Sequence, residues 1–411
     1  MKALVLGKGK SGTSAGKLLS RFGVSVTYFQ DGDSLEKIDF DLAVKSPGIP
    51  NEHWLVQELR NLGIKVYGEI ELAYRFSKGE IVGITGTNGK STTTALVYET
   101  LKRNNYSAFI GGNFGIPFSD FCLDTDDNST SVLELSSFQI EDLISFRAKV
   151  SAVLNVTPDH LNRYSSFSDY LKSKLKITGL SDIVVLNGDD ENLRKLKGNK
   201  FLFFSRTSPA DAYFDGTFLI SDGVKIPVSE LPLKGVHNVE NYLASTLILR
   251  VLGLKEDEIL KGFLSFKGLP HRTEVVSVVD GVTFVNDSKS TNVDSLKKAL
   301  ESFSSVILIA GGSDKGLDFS SLRELFRERV KHLIAIGETA DRFLETFGDL
   351  IPSVKAPSME EAVREAFNRA ERGDTVLLSP GCASFDMFEN FEDRGEKFKE
   401  VVKKLEVEIG K

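Results

Sequence analysis

The chain has 411 residues, 41% of them hydrophobic and 27% charged, which is room for two to four globular domains and not the makeup of a disordered or fibrous protein. No apolar run reaches the length of a membrane span, and a formal net charge of -7 argues against nucleic acid as the main partner. Two cysteines, Cys122 and Cys382, supply no disulfide framework and point to a reducing cytoplasm. The opening residues 1–7 hold too short an apolar stretch for a signal peptide, and few Met and Cys beside many Lys and Glu hint at a thermophilic source.

In chain order, residues 3–6 read as a strand, 14–21 as a helix and 24–29 as a second strand. Residues 42–45 read as a further buried strand, stopped by Ser46-Pro47-Gly48. Between the first strand and helix stands Gly7-Lys8-Gly9-Lys10-Ser11-Gly12, a G-x-G-x-x-G loop, with Asp31 where a ribose-binding acid would stand. Glycines permit the tight turn, and the helix N-terminus can hold a diphosphate through backbone N–H groups. Three readings stay open: a dinucleotide-dependent oxidoreductase, a glycine turn with no ligand, and a nucleoside-diphosphate site. Residues 1–79 leave space for one mononucleotide half and not two, which favours a ligand such as UDP.

Ser77-Lys78-Gly79-Glu80 is a polar break, after which strand 81–84 runs into Thr85-Gly86-Thr87-Asn88-Gly89-Lys90-Ser91-Thr92 and a helix through Lys102. Such a loop cradles phosphates with backbone N–H groups, Lys90 reaching the β- and γ-phosphates and the Ser91 hydroxyl ligating Mg²⁺. The strict pattern places its first glycine where Ile84 stands, and Gly-Lys-Ser also occurs by chance at helix starts. Runs 131–135, 150–155 and 183–187 read as buried parallel strands. Glu134 closes the first of these, where an acid has no packing role, and Asn155-Val156-Thr157-Pro158-Asp159-His160 follows the second. Ligands of open α/β sheets bind beyond such carboxyl ends, so Lys90, Glu134 and His160 converge. On its own His160 reads as readily as a surface or helix-start residue. In the helical stretch 170–178, Lys174 shares a stripe with Leu171, Leu175 and Thr178 and points inward. It is either a lysine snorkelling at the stripe's edge or a neutral, usable amine.

Residues 201–228 read as a β-meander, 238–252 as a helix and Gly268-Leu269-Pro270 as a linker. Strands at 282–286, 306–310, 332–336 and 375–379 alternate with helices as a last α/β unit, with the turn Gly311-Gly312-Ser313-Asp314-Lys315-Gly316 after its second strand.

At this point the sequence resembles the Mur ligase family. The likeness is carried by the loop 86–92, by Leu133-Glu134-Leu135-Ser136-Ser137-Phe138-Gln139 and by Asp159-His160-Leu161-Asn162-Arg163. It extends to His237-Asn238-Val239-Glu240-Asn241 and Leu269-Pro270-His271-Arg272. Asn286-Asp287-Ser288-Lys289-Ser290-Thr291-Asn292 and Ser379-Pro380-Gly381-Cys382-Ala383-Ser384-Phe385-Asp386 resemble the D-glutamate-adding members. Gly381 and Ser290 stand where alanine is usual, and Lys10 and the segment 28–31 differ from the residues expected of a uridine pocket.

The resemblance implies an α/β protein of three domains, each with a mainly parallel sheet flanked by helices. They are a Rossmann-like UDP-sugar domain at 1–79, a P-loop ATPase-like domain at 80–268 and a Rossmann-like amino-acid domain at 269–411. It implies ATP-dependent addition of D-glutamate to UDP-N-acetylmuramoyl-L-alanine through an acyl phosphate, in peptidoglycan precursor synthesis, by a monomer. Lys90, Glu134, His160 and Lys174 would be catalytic. Ser91 and Glu134 would hold one Mg²⁺, His160 and a carbamylated Lys174 a second. ATP would meet 86–92, Asn238, Asn241, Arg272 and Asp287, and the UDP-sugar Lys10, Ser11, Ser46, Gly48, Asn113, Gln139 and His160. D-Glutamate would meet Thr291, Lys315, Ser384 and the backbone at Phe391, a cation with several donors as a dicarboxylic acid requires. Two rival classes remain, a nicotinamide-dependent oxidoreductase that needs no ATP and a nucleotide-binding switch that releases no phosphate.

Overall fold

A computed structural model describes residues 1–35, 37–159, 163–314 and 316–409. Their contacts divide the chain into two compact units, Met1–Pro232 with Asn238–Lys267 and Leu233–His237 with Gly268–Lys411.

The first unit holds two sheets. Strands β1 (Lys2–Leu6), β2 (Ser25–Phe29), β3 (Leu42–Lys45) and β4 (Lys65–Gly68) form an all-parallel sheet in the order β2-β1-β3-β4. Four strands are too few for the six of a full dinucleotide-binding fold. Helix α1 (Lys10–Arg21) starts earlier than 14–21 because the glycine loop is shorter than its motif, and α2 (Trp54–Asn61) lies between β3 and β4. Helix α3 (Glu69–Tyr74) follows β4 directly and packs on the next sheet's elements.

That second sheet runs β13-β12-β11-β10-β9-β8-β5-β7-β6. It comprises β5 (Glu80–Thr85), β6 (Ala108–Gly112), β7 (Thr130–Glu134), β8 (Ala148–Val153), β9 (Ser181–Asn187), β10 (Phe201–Ser205), β11 (Ala212–Phe214), β12 (Phe218–Ser221) and β13 (Val224–Pro227). The segment 201–228 is not wholly a meander: β10 pairs parallel to β9 and β11 parallel to β10, and only β11 to β13 alternate. Here α4 (Lys90–Arg103), α5 (Phe118–Phe121), α6 (Ser137–Glu141), α7 (Phe167–Leu175), α8 (Val236–Val251) and α9 (Glu256–Ser265) cover the sheet or bridge to its neighbours. The apolar core is continuous from Ala3, Val5 and Leu18 of the first sheet to Phe118, Leu133 and Phe146 of the second.

The second unit carries β14 (Glu274–Val279), β15 (Val282–Asn286), β16 (Val306–Gly311), β17 (Val330–Ile336), β18 (Ser353–Lys355) and β19 (Thr375–Leu378) in the order β14-β15-β19-β16-β17-β18. Only β14 is antiparallel. Helices α10 (Val293–Glu301), α11 (Arg323–Arg329), α12 (Ala340–Phe347), α13 (Met359–Asn368) and α14 (Phe391–Ile409) bury apolar faces on it in two separate clusters. No helix among the described residues is long and apolar enough to cross a membrane.

Candidate functional site

In the second sheet β5 lies between β8 and β7, so the three carboxyl ends that carry the sequence motifs are neighbours. The buried strand β5 delivers the chain to Gly86 (φ 153°), and Gly89 (φ 83°) enters α4. A Cβ on Gly89 would stand 2.5 Å from Asn241 Oδ1 of α8, so only glycine permits that approach. Asn155, just past β8, braces the loop: Asn88 N–H donates to its Oδ1 at 2.8 Å and its Nδ2 donates to Asn88 O at 3.1 Å. Thr87 Oγ1 donates to Thr157 O at 3.1 Å and lies as close to the Tyr170 hydroxyl. Lys90 folds back to donate to the carbonyls of Gly86 and Thr87, at 2.9 and 2.8 Å, which puts its ammonium inside the curl where phosphate oxygens would sit. Ser91 and Thr92 are buried at the start of α4.

Glu134 ends β7 beside Ile84 of β5 and is buried. Its Oε1 accepts from Asn113 Nδ2 at 2.7 Å, while its Oε2 is buried with no hydrogen-bond partner among the described residues. A buried carboxylate oxygen without a hydrogen bond, beside a phosphate loop, has the chemistry to ligate a hard cation. No group of three His, Cys, Asp or Glu side chains gathers among the described residues, but a Mg²⁺ shared with phosphates needs only one or two protein oxygens, and Ser91 with Glu134 meets that demand.

Lys174 faces the loop from α7, which runs earlier than 170–178 because 176–180 tightens into a 3₁₀ turn. Its Nζ donates to Gly86 O at 2.9 Å and stands 4.8 Å from the centre of the Tyr170 ring. Burial holds its pKa well below that of an ordinary lysine, and the Lys90 charge lowers it further against the pull of Asp159 and Glu134. His160 lies outside the described residues.

Of the further residues expected to meet ATP, Asn238 and Asn241 belong to the first unit and Arg272 and Asp287 to the second. Asn238 and Asn241 are buried on α8, Asn241 donating to Asn238 Oδ1 at 3.1 Å and accepting from Thr93 Oγ1 at 3.2 Å. In the second unit Asp287 follows β15 and accepts from Thr273 N–H at 3.1 Å and Ser379 Oγ at 2.9 Å. Burial pushes its carboxyl up to about 6, against the pull of the Arg272 charge.

Three of the proposed D-glutamate residues, Thr291, Ser384 and Phe391, lie on segments that follow β15 and β19 and bond to one another. Gly381 N–H donates to Ser290 O, beside Thr291, at 2.9 Å, and Ser288 Oγ donates to Phe391 O at 2.8 Å. Ser384 is buried, and its carbonyl accepts from Phe388 N–H at 2.9 Å. Lys315 lies outside the described residues. Sequence reading missed Arg394, whose buried guanidinium ties the group together. It donates to Ser288 Oγ and Ser288 O at 2.9 and 2.8 Å, and to Cys382 O and Ala383 O at 3.1 and 3.2 Å. Burial lowers its pKa to about 10. Arg394 falls in no spacing pattern; its only sequence signal is an arginine on the apolar side of α14.

In the first sheet Lys10 is exposed and Ser11 half-buried where α1 begins. Ser46 Oγ is buried beneath the glycine loop with no hydrogen-bond partner among the described residues, and a Cβ on Gly7 would stand 2.5 Å from it. A Cβ on Gly12 would stand 2.0 Å from Gly7 O, so packing alone demands that glycine. Gly48 offers its carbonyl to Arg163 at 3.1 Å. Gln139 spends its amide oxygen capping α6, accepting from Ser136 N–H at 3.0 Å.

Residues 84–249 match the Mur ligase middle domain, and 271–382 the Mur ligase glutamate ligase domain. A UDP-N-acetylmuramoylalanine–D-glutamate ligase of Alkaliphilus oremlandii is 45% identical over 89% of this chain and 84% of its own length. One of Aquifex aeolicus is 41% identical over 98% of both chains. Among solved structures, the UDP-N-acetylmuramate–alanine ligase of Thermotoga maritima superposes with a TM-score of 0.68 at 18% identity, over 98% of this chain and 99% of that one. A further ligase of that organism, in complex with ADP, gives 0.64 at 21% identity over 90% of this chain and 89% of its own.

Proposed function

The chain belongs to the Mur ligase family, and from that premise we propose that it joins D-glutamate to UDP-N-acetylmuramoyl-L-alanine, with ATP hydrolysed to ADP and phosphate, in peptidoglycan precursor synthesis. The observation that carries the reading is the meeting of Lys90, Glu134 and Lys174 around Gly86, in a chain whose relatives of this name match it nearly end to end. The division of labour follows the sheets: 1–79 for the UDP-sugar, 80–268 for ATP and 269–411 for the amino acid. The protein works in the cytoplasm as a monomer.

The terminal carboxylate of the L-alanyl group attacks the γ-phosphorus of ATP and ADP leaves. The amine of D-glutamate then attacks the acyl carbon, a proton is lost, and the tetrahedral adduct collapses to an amide and inorganic phosphate. Both reactants of the first step are anions, so the site's task is to neutralise charge as it shifts. Lys90 supplies one cation from within the loop, whose backbone N–H groups orient the phosphates. Mg²⁺, held by Ser91 and the open oxygen of Glu134, would add Lewis-acid charge neutralisation. A carbamylated Lys174, with His160, would offer oxygen and nitrogen ligands to a second ion. Support for the carbamate is the amine's burial and depressed pKa, since only a neutral amine adds to carbon dioxide. Asn238, Asn241, Arg272 and Asp287 would bind adenosine, and Asn113 and Gln139 the muramoyl group. Thr291, Ser384, Lys315 and the Phe391 backbone would bind the two carboxylates of D-glutamate.

A coupled phosphate-release assay with UDP-N-acetylmuramoyl-L-alanine across a panel of amino acids tests the reading. Phosphate release with D-glutamate and not with L-alanine or diamino acids is expected; release that ignores the amino acid would overturn it.

A further inference from the structure

Outside the phosphate loop, charged side chains also gather in the first unit around the turn at 46–49. Lys45 is buried and donates to Ile49 O at 3.0 Å, and its ammonium stands 2.6 Å from Asp142. Arg163 donates to Gly48 O at 3.1 Å and Ile49 O at 3.5 Å, lies 4.8 Å from the centre of the Phe138 ring, and has Glu141 at 3.8 Å. Two cations thus hold the carbonyls of one turn, and the two acids that neutralise them are consecutive residues at the end of α6. The grip is mutual. Glu71, on α3, accepts from the N–H groups of Ile144, Ser145 and Phe146, just past Asp142.

Helix α6 begins three residues after Glu134 and carries Gln139. The turn carries Gly48, follows Ser46 and faces the glycine loop. Apolar packing would join the two sheets at less cost than buried charge, and ionic bridges retained in such a place fix geometry rather than add stability. Directed bonds to carbonyl oxygens allow one register of turn on helix, where apolar contact would tolerate sliding.

We propose that Arg163 and Lys45 are positioning residues for the sugar-nucleotide substrate, holding the turn beneath its diphosphate in fixed register with α6 and the Gln139 it carries. This rests on the reading of Ser46 and Gly48 as part of the UDP-sugar site. Among the described residues Arg163 bonds to the turn and to α6 and to neither glycine loop, so its loss is expected to act on the sugar nucleotide and spare ATP.

The test uses the full chain with Arg163→Gln and Arg163→Lys. Calorimetry measures UDP-N-acetylmuramoyl-L-alanine binding, and steady-state assays measure KM for each of the three substrates. Arg163→Gln is expected to weaken sugar-nucleotide binding roughly tenfold, the loss of a charge-assisted bond, and Arg163→Lys to recover part of it. The KM for ATP and D-glutamate, and kcat at saturating sugar nucleotide, should stay within about twofold. Unchanged sugar-nucleotide affinity in Arg163→Gln would overturn the inference. So would an equal rise in all three KM values with a lowered Tm, which marks a merely structural role. Wild-type protein that does not bind the sugar nucleotide would overturn the functional reading and this inference together. Wild-type protein that binds it without turnover would overturn the functional reading alone, and the calorimetry would still decide the inference.

Discussion

Lys45 and Lys174 are both almost fully buried, at 1% and 2% of their accessible area, in regions that treat the charge in opposite ways. Lys45 has Asp142 at 2.6 Å and a carbonyl at 3.0 Å, so it is paired with an acid and serves as a cross-link between sheets. Lys174 has a carbonyl and an aromatic face but, among the described residues, no carboxylate in ion-pair contact, and a second ammonium, Lys90, close by. A buried amine without a counter-charge is pushed toward its neutral form. On the proposed function the same residue type at the same depth is mechanical in one place and chemical in the other, and an acid in direct contact decides which.

The sharpest break of that comparison is at Lys90, the cation whose charge bears on Lys174. Lys90→Ala should lower phosphate release by on the order of a thousandfold with an unchanged circular-dichroism spectrum, because the charge it supplies is needed only as transfer proceeds. Near-normal turnover would remove the phosphate-loop assignment. At Lys174 itself, Lys174→Ala should cost on the order of a hundredfold, with partial recovery from added short carboxylic acids that occupy the vacated position. The pH sign follows from the downward shift. The folded protein loses this proton at lower pH than the unfolded chain, so neutral amine accumulates as pH rises through the depressed folded pKa. Activity of carbon-dioxide-depleted enzyme should therefore return on adding bicarbonate, and faster at higher pH. Activity indifferent to carbon dioxide and carboxylic acids would make Lys174 a structural donor to Gly86.

Much of this contrast was legible in the sequence, and the part that was not has a common physical reason. The phosphate loop announces itself because a helix entered through glycines at fixed positions requires contiguous residues. Lys174 could be turned inward from its spacing with Leu171 and Leu175, although α7 begins at Phe167 and the helical stripe stops before Thr178. Lys45 stood next to a recognised turn and was read only as the end of a strand. Its partner is Asp142, far along the chain, and no local pattern records such a pair. The same holds for Arg163 with Gly48 and for Arg394 with Ser288. The edge strands β14 and β18 and the helix α2 went unread because they are short and half-exposed, which blurs the periodicity that marks buried elements.

The cross-link side sharpens with stability measurements. Lys45→Met or Asp142→Asn alone should destabilise the protein by about 3–5 kcal/mol, since each strands a buried charge or its polar partner. The double change Lys45→Met with Asp142→Leu should recover most of that loss in denaturant unfolding while leaving sugar-nucleotide affinity low. Recovery of both stability and affinity would mean that any packing at this point sets the register.

The smallest expected effect comes from a second pair of like residues, Glu69 and Glu71, two positions apart on α3 and both buried. Glu71 is opposed by burial but accepts from Ser145 Oγ, from three N–H groups and from Arg75, and the donors win, holding its pKa below the usual range. Glu69 accepts from Ser119 N–H and Oγ, both on Oε1, while its Oε2 is buried with no hydrogen-bond partner among the described residues. Burial wins there and raises its pKa from 4.5 to about 7. A raised carboxyl pKa means that the folded state binds more protons than the unfolded state between those two values. The contribution of Glu69 is therefore fully present below about 4.5 and lost as pH rises through about 7. Glu69→Gln keeps an acceptor oxygen and cannot ionise, so it should flatten the fall in unfolding free energy across that interval, a change of about 3 kcal/mol. The variant should match wild type at acid pH and exceed it near pH 8. A wild-type stability that rises over the interval, or a variant with the same slope as wild type, would show that Glu69 is ionised in the fold as Glu71 is.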